Sequence, residues 1–386
     1  MTSLIASVLF SSALAAQTAT ERPLPFSDKT WELQGERTTI VREGERDVLQ
    51  VETGTGRRRD VRVEDGTIDF DVQLTSRRSF VSVEFRAAGD GEYEEVYLRP
   101  HKSSLPDAVQ YAPVWQGRSS WQLYHGPGGT AAVSFEPGTW THVRVIFEGR
   151  RAALFVKNME KPALIVPHLA RDPKPGYIGL RGFLPADVPG AGPIARFANL
   201  VVRPGPVSFD FEAALATAAT PSREAVAESV TLVRSWALSQ SFVPANADVS
   251  ALPSAAVTGE FRKIDAEPGG LLELHRHVPV PKNSRVTAGV ARVRIQAAAA
   301  GTYAFDLGFS DIATVFVNGR PIFRGDASYS FDRPRREGLI GYDQARLYLP
   351  LVSGNNDLSI LVSDVFGGWG IMGRFLGAQG LTIEAR

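Results

Sequence analysis

Two glutamates on neighbouring strand-like segments are the residues of this chain best spaced for chemistry. In "SFVSVEFRA" the residues Ser82, Glu84 and Arg86 alternate with Val81, Val83 and Phe85, and in "EEVYLRP" Glu95, Tyr97 and Arg99 alternate with Val96 and Leu98. Successive side chains on a strand point to opposite faces, so each segment offers one polar and one apolar side. Two carboxyls can cleave a glycosidic bond when they face each other at roughly 5 Å for retention or 6.5–9.5 Å for inversion. Glu84 and Glu95 are the pair expected to do so, if the strands are in register. The bland reading is two solvated acids beside Arg86 and Arg99, because surface ion pairs are common.

The stretch from Glu94 to Gly126 gathers Tyr97, Arg99, His101, Gln110, Tyr111, Trp115, Trp121, Tyr124 and His125. Aromatic rings stack on the C–H faces of a sugar while planar donors and acceptors bind its hydroxyls, so these nine residues form the expected wall of a saccharide site. The competing reading makes Trp115, Trp121 and Tyr124 plugs beneath a long loop, since single aromatics are usually core.

Other candidates are thinner. His275 and His277 in "ELHRHV" are spaced to share a strand face, but no third ligand stands nearby and two solvent-facing histidines are expected. Asp306, Asp311 and Asp364 lie near glycine-rich turns, where jelly rolls hold structural calcium through oxygen ligands; turn residues are the simpler expectation, with no cofactor and no catalytic metal. "FGGWG" around Trp369 suits either a stacking platform or a turn folded over its own ring. "RPRRE" at Arg333 to Glu337 is too short and isolated to argue for nucleic acid. Arg plus Lys and Asp plus Glu both number 42 in 386 residues, so no overall field favours a polyanion either.

The elements that must position these residues read as all β. Short alternating runs such as "TIDFDVQLT", "THVRVIFEG" and "RAALFVKN" are broken by Gly, Pro and charged turns from Trp31 to about Arg203, which is a sandwich pattern. An Ala/Pro/Ser/Thr-rich stretch, 204–230, reads as a linker, with a short helix expected after Ser222 as N-cap. From 231 to 386 alternation returns, and Asn318-Gly319 between "TVFV" and "RPIF" marks a type I′ hairpin. With no cysteine at all, neither disulfides nor thiolate sites are available. "MTSLIASVLFSSALAAQ" carries a short apolar run with Ala13 and Ala15 where signal peptidase reads, so residues 1–16 are expected to be a signal peptide and the protein exported, periplasmic or extracellular. No later segment has the length of apolar chain that a membrane span needs.

Trp31, "GTIDFDVQL", "FVSVEFRA", "EEVYLRPH", "EPGTWTHVRVIFEGRRAALFVKN" and "GYIGLRGF" together resemble the concanavalin A-like, laminin-G-like jelly rolls, and more narrowly the 3-keto-disaccharide hydrolase-like domains of exported bacterial proteins. The closely spaced E-x-D-x-x-E acids of glycosidases with this fold are not seen; Glu92, Glu94 and Glu95 read instead as flanking a glycine turn. "YAFDLGFSDIATVFVNGRPIFRG", "LPLVSGNNDLSILVSD" and "FGGWGIMGRF" resemble the galactose-binding-like jelly rolls that accompany glycosidases. The resemblance implies two jelly-roll sandwiches, 26–203 and 231–386, and a glycan held on the concave face of the first. The expected function is carbohydrate binding, with a glycoside hydrolase acting on a modified sugar, or an envelope scaffold without small ligand, as alternatives.

Overall fold

The computed structural model describes residues 23–386 except 28, 36, 219–229, 245–250, 254–258, 283 and 331–336. The expected signal peptide, the helix after Ser222 and the arginines of "RPRRE" lie outside the described residues.

Four antiparallel sheets pack as two β-sandwiches. In the first sandwich, one sheet runs in the order Glu32–Gln34, Gly54–Val63, Gly176–Phe183, Phe80–Gly89, Glu92–Leu98, Val109–Trp115 and Thr130–Ala131, with Arg118–Ser119 pairing onto Val109–Trp115. The facing sheet runs Leu164–Val166, Arg151–Val156, Trp140–Glu148, Gly66–Leu74, Ala195–Pro204, Arg46–Val51 and Thr38–Glu43. Alternation fills the space between them: Val81, Val83, Phe85, Val96 and Leu98 meet Ile68, Phe70, Val72, Val143, Val145 and Phe147 in one core. In "EYEEVYL" the whole run Glu92–Leu98 is strand, so Glu94 and Glu95 sit at alternating positions rather than in a turn.

In the second sandwich, a sheet of Val230–Leu232, Gly370–Leu376, Gly301–Ser310 and Ala345–Leu351 packs on one ordered Phe261–Asp265, Ser235–Ser239, Thr287–Ala297, Gly354–Asp364, Ile312–Val317 and Arg320–Asp326. Trp236, Phe305, Phe375 and Trp369 are buried at its centre. Trp369 is therefore core, its indole N–H donating to the Val362 carbonyl at 3.1 Å. The hairpin at Asn318-Gly319 forms as its sequence demands, with φ of 51° and 77°, the two positive values of a type I′ turn.

The connection between the sandwiches carries a helix earlier than the one expected. Phe211–Ala218 is helical, capped by the Asp210 carboxylate, which accepts the Ala213 N–H at 2.9 Å. Phe211 anchors it by packing with Phe155 and Ile146 on the outer side of the first sandwich. No helix among the described residues is long and apolar enough to cross a membrane.

Candidate functional site

The outer face of the Glu84-bearing sheet is polar along adjacent rows. Register pairs Arg57 with Gly179, Gly179 with Glu84, Glu84 with Glu95 and Glu95 with Ala112. The next row holds Thr55, Arg181, Ser82, Tyr97 and Gln110. Glu84 and Glu95 are thus direct cross-strand partners, a placement in which Cβ atoms are about 4.5–5.5 Å apart. The expectation that they share a face is met, although Arg86 leaves that face. A bulge between Phe85 and Gly89 and a φ of 51° turn Arg86 inward, where it donates to the Glu64 carbonyl and the Asp65 carboxylate.

The two carboxyls have different surroundings. Glu84 Oε2 accepts from Arg57 Nε at 3.0 Å, and both side chains are almost wholly buried, while Glu84 Oε1 has no hydrogen-bond partner. Arg57 is held from behind by Asp90. Glu95 accepts from the Ser119 hydroxyl at 3.2 Å, and the partly exposed Arg181 guanidinium stands 3.9 Å away. Burial pushes the Glu95 carboxyl up; Arg181 pulls it down, and the charge of Glu84 adds to the rise. Glu84 is bonded directly by a buried guanidinium, whereas Glu95 has a hydroxyl donor and a guanidinium 3.9 Å away.

Phe80 and Phe183 sit opposite each other at the end of this face, ring centroids 6.0 Å apart, and Phe183 is 41% exposed. Phe80 also meets the edges of Tyr97 and His101. His101 is pushed down to about 4 by burial and by the charges of Arg99, Lys102 and Arg78, so it is a neutral ring at neutral pH. Arg57, Arg181, Phe80 and Phe183 were not among the residues singled out from sequence. The alternation of Gly179, Arg181 and Phe183 against Ile178 and Leu180 was readable, but the placement of Gly176–Phe183 beside Phe80–Gly89 is a long-range crossover that no local pattern announces.

The nine expected wall residues separate into groups. Tyr97, Arg99 and Gln110 remain together: the Tyr97 hydroxyl and Arg99 Nη2 both donate to Gln110 Oε1 at 2.6 Å. Tyr111 points the other way, into the first core, where its hydroxyl donates to Glu94 and accepts the Ala170 N–H. Gln110 and Tyr111 are consecutive and therefore cannot share a face.

Trp115, Tyr124 and His125 lie in the seam where the second sandwich docks. Trp115 Nε1 donates to Glu273 Oε2 at 2.9 Å, the Ser120 hydroxyl donates to Glu273 Oε1, and His125 Nε2 meets the Ile340 carbonyl. Tyr124 OH lies 2.6 Å from Glu267 Oε1 and 2.9 Å from Glu273 Oε2. Trp121, half-buried, packs edge-on against Tyr329 of the second sandwich. Burial drives both carboxyls up, Glu267 to about 7 and Glu273 to about 8.

The remaining candidates are structural. His275 is fully buried rather than solvent-facing, its Nε2 3.2 Å from Asp364, which also pairs with Arg118 across the seam. Asp306 is clamped by Arg346 and Arg374, and Asp311 accepts the N–H groups of Val365 and Phe366. Among the described residues no three His, Asp or Glu side chains are grouped to hold a metal ion.

No family model and no curated protein matches the sequence. Among solved structures the chain is similar to a carbohydrate-binding module of Bacillus subtilis, at 14% identity over 45% of this chain and 94% of that one, TM-score 0.34. It is also similar to a Bacillus licheniformis β-glucanase, at 10% identity over 48% and 97%, TM-score 0.36. A family 35 carbohydrate-binding module from an environmental isolate aligns at 20% identity over 28% and 77%, TM-score 0.20.

Proposed function

We propose that this is an exported protein whose first sandwich binds a saccharide on the outer face of the sheet that carries Glu84 and Glu95. The observation that carries the reading is the accessible end of the polar row: the partly exposed Arg181 and the exposed Phe183, packed near Phe80, beside the buried and facing Glu84 and Glu95. Charged planar groups take sugar hydroxyls in pairs, and an accessible ring at the rim takes a pyranose face.

Phe183→Ala tests it, since an exposed side chain is removed with little effect on folding. Lost stacking of about 0.5–1.5 kcal/mol is roughly a two- to tenfold fall in affinity for a saccharide retained on a glycan array, with melting unchanged. A panel that retains no saccharide, or affinity indifferent to both Phe183→Ala and Arg181→Ala, rejects the site.

A second reading, hydrolysis of the bound glycoside, is favoured by the unequal acids. Glu95, raised by burial, would protonate the leaving oxygen, with Glu84, held by Arg57, as the facing carboxyl. Under that reading Glu95→Gln lowers turnover by about 10²–10⁴ while saccharide binding survives. Binding without any turnover in the wild type leaves the lectin-like reading alone.

A further inference from the structure

The seam between the sandwiches holds a proton by count. Tyr124 carries one hydroxyl hydrogen, yet its oxygen is within hydrogen-bond distance of both Glu267 and Glu273. One of the two contacts is complete only when a carboxylic acid O–H donates to the phenol oxygen. The other donors around Glu273, the Trp115 indole and the Ser120 hydroxyl, are already directed at it, and neither is a cation. The charges facing the pair are Arg276 from its own side, itself 3.8 Å from Asp172, and Glu94 and Arg150 from the first sandwich; Arg171 is stacked over Trp115. No guanidinium bonds either carboxyl directly among the described contacts.

The residues this seam fixes also build the edge of the candidate face. Ser120 bonds Glu273, and its chain neighbour Ser119 bonds Glu95. Gln110 Nε2 donates to the Trp121 and Tyr124 carbonyls at 2.6 and 2.7 Å, while its Oε1 receives Tyr97 and Arg99. The segment Arg118–His125 is therefore gripped on one side by the acids of the second sandwich and on the other by the polar row.

We propose that the second sandwich is a positioning element for the saccharide face: Glu267 and Glu273, holding one proton against Tyr124, lock the Arg118–His125 segment, and loss of that proton loosens the segment and the face together. This rests on the saccharide reading for its consequence, but the lock itself does not. The sign follows from the raised carboxyl of Glu273. Undocked, the acid ionises in the ordinary range; docked, it keeps its proton to about 8. Docking is strongest in acid and weakens as pH rises through that interval.

Hydrogen exchange of the full chain, corrected for the intrinsic pH dependence of exchange, reads the lock without any ligand. Arg118–His125 and the adjoining Val109–Trp115 strand should open more at pH 9 than at pH 6, and the Trp emission should shift as the Trp115 indole loses its acceptor. Glu273→Gln stays neutral at every pH but leaves Glu267, itself raised to about 7, so it should shrink the pH step, and Glu267→Gln combined with Glu273→Gln should abolish it while keeping the segment protected. An equal corrected exchange at both pH values in the wild type, or a pH step of undiminished size in the double variant, overturns the proposal; the wild-type titration decides even if the variant does not fold. Cellotetraose and laminaritetraose serve as saccharide probes. A pH step in exchange with no retention of either probe or of any array saccharide at any pH upholds the lock and removes the saccharide reading. Retention that is indifferent to pH, with a segment that is equally so, upholds the saccharide reading and removes the lock.

Discussion

Replacing Gly179 by alanine presses directly on the Glu84–Arg57 pair. Gly179 has ordinary backbone angles, so the substitution introduces no conformational strain; what it introduces is one carbon 2.8 Å from Glu84 Oε2 and 3.2 Å from Arg57 Cγ. The end of a glutamate usually swings aside at little cost. Here it has nowhere to go, because the side chain is fully buried and Oε2 is held by Arg57 at 3.0 Å. The new methyl must therefore either displace the carboxylate, losing a charge-assisted bond of about 1.5–3 kcal/mol, or push the two strands apart, an overpacking cost of about 1–3 kcal/mol. The two are alternative routes of relaxation rather than additive, which puts the expected destabilisation at about 2–3 kcal/mol. For a unit of this size that lowers the melting temperature by roughly 4–12 °C. Calorimetry of the wild type and Gly179→Ala measures it, and Glu84→Asp supplies the control: shortening the acid by one methylene makes room for the methyl, so the double variant should recover at least about 1 kcal/mol relative to additivity. A change below about 0.5 kcal/mol, within the range of an ordinary surface substitution, or strict additivity with Glu84→Asp, would show that Glu84 is mobile and that the polar row is not a fixed constellation.

Tyr111→Phe removes a hydroxyl that serves Glu94 Oε2 at 2.7 Å and the Ala170 N–H at 2.8 Å, and stranding those buried groups should cost about 1–3 kcal/mol. Burial already pushes Glu94 up and the Tyr111 donor opposes it, so the loss should be larger at pH 8, where the acid is asked to ionise, than at pH 5; urea melts at the two pH values check this. If the opening segment is a signal peptide, protein recovered from outside the cytoplasm should begin at Gln17 by N-terminal sequencing, and an intact Met1 on that material would reject export by this route.

Alternation made the fold legible, and it reached the site as far as alternation reaches. Glu84 and Glu95 could each be assigned to a polar face from their own strands, because Val81, Val83, Val96 and Leu98 had to point inward. Their direct opposition could not, since register is a relation between strands and the intervening glycine turn admits several. The bulge at Phe85–Gly89 shows the same boundary from the other side: the register shifts there and Arg86 goes into the core, and nothing in "SFVSVEFRA" marks where strict alternation stops. Tyr111 was within reach, because its neighbour Gln110 already claimed the outer face. Trp115 and Tyr124 were not, because what buries them is a second sandwich more than a hundred residues downstream, meeting them with Glu267 and Glu273. Aromatic rings with a polar atom at one end suit a sugar surface and a protein seam for the same physical reason, large apolar area beside one directed hydrogen bond, so composition alone cannot separate the two. The separation comes from partners. In the seam Trp115, Tyr124 and His125 each have a polar atom matched to an acceptor across the joint, whereas on the outer face of the sheet the ring of Phe183 is exposed and carries no polar atom to match. Exposure beside a polar row, rather than the density of aromatics, is what directs the search for a ligand to Phe183 and Arg181 at the end of the Glu84–Glu95 face.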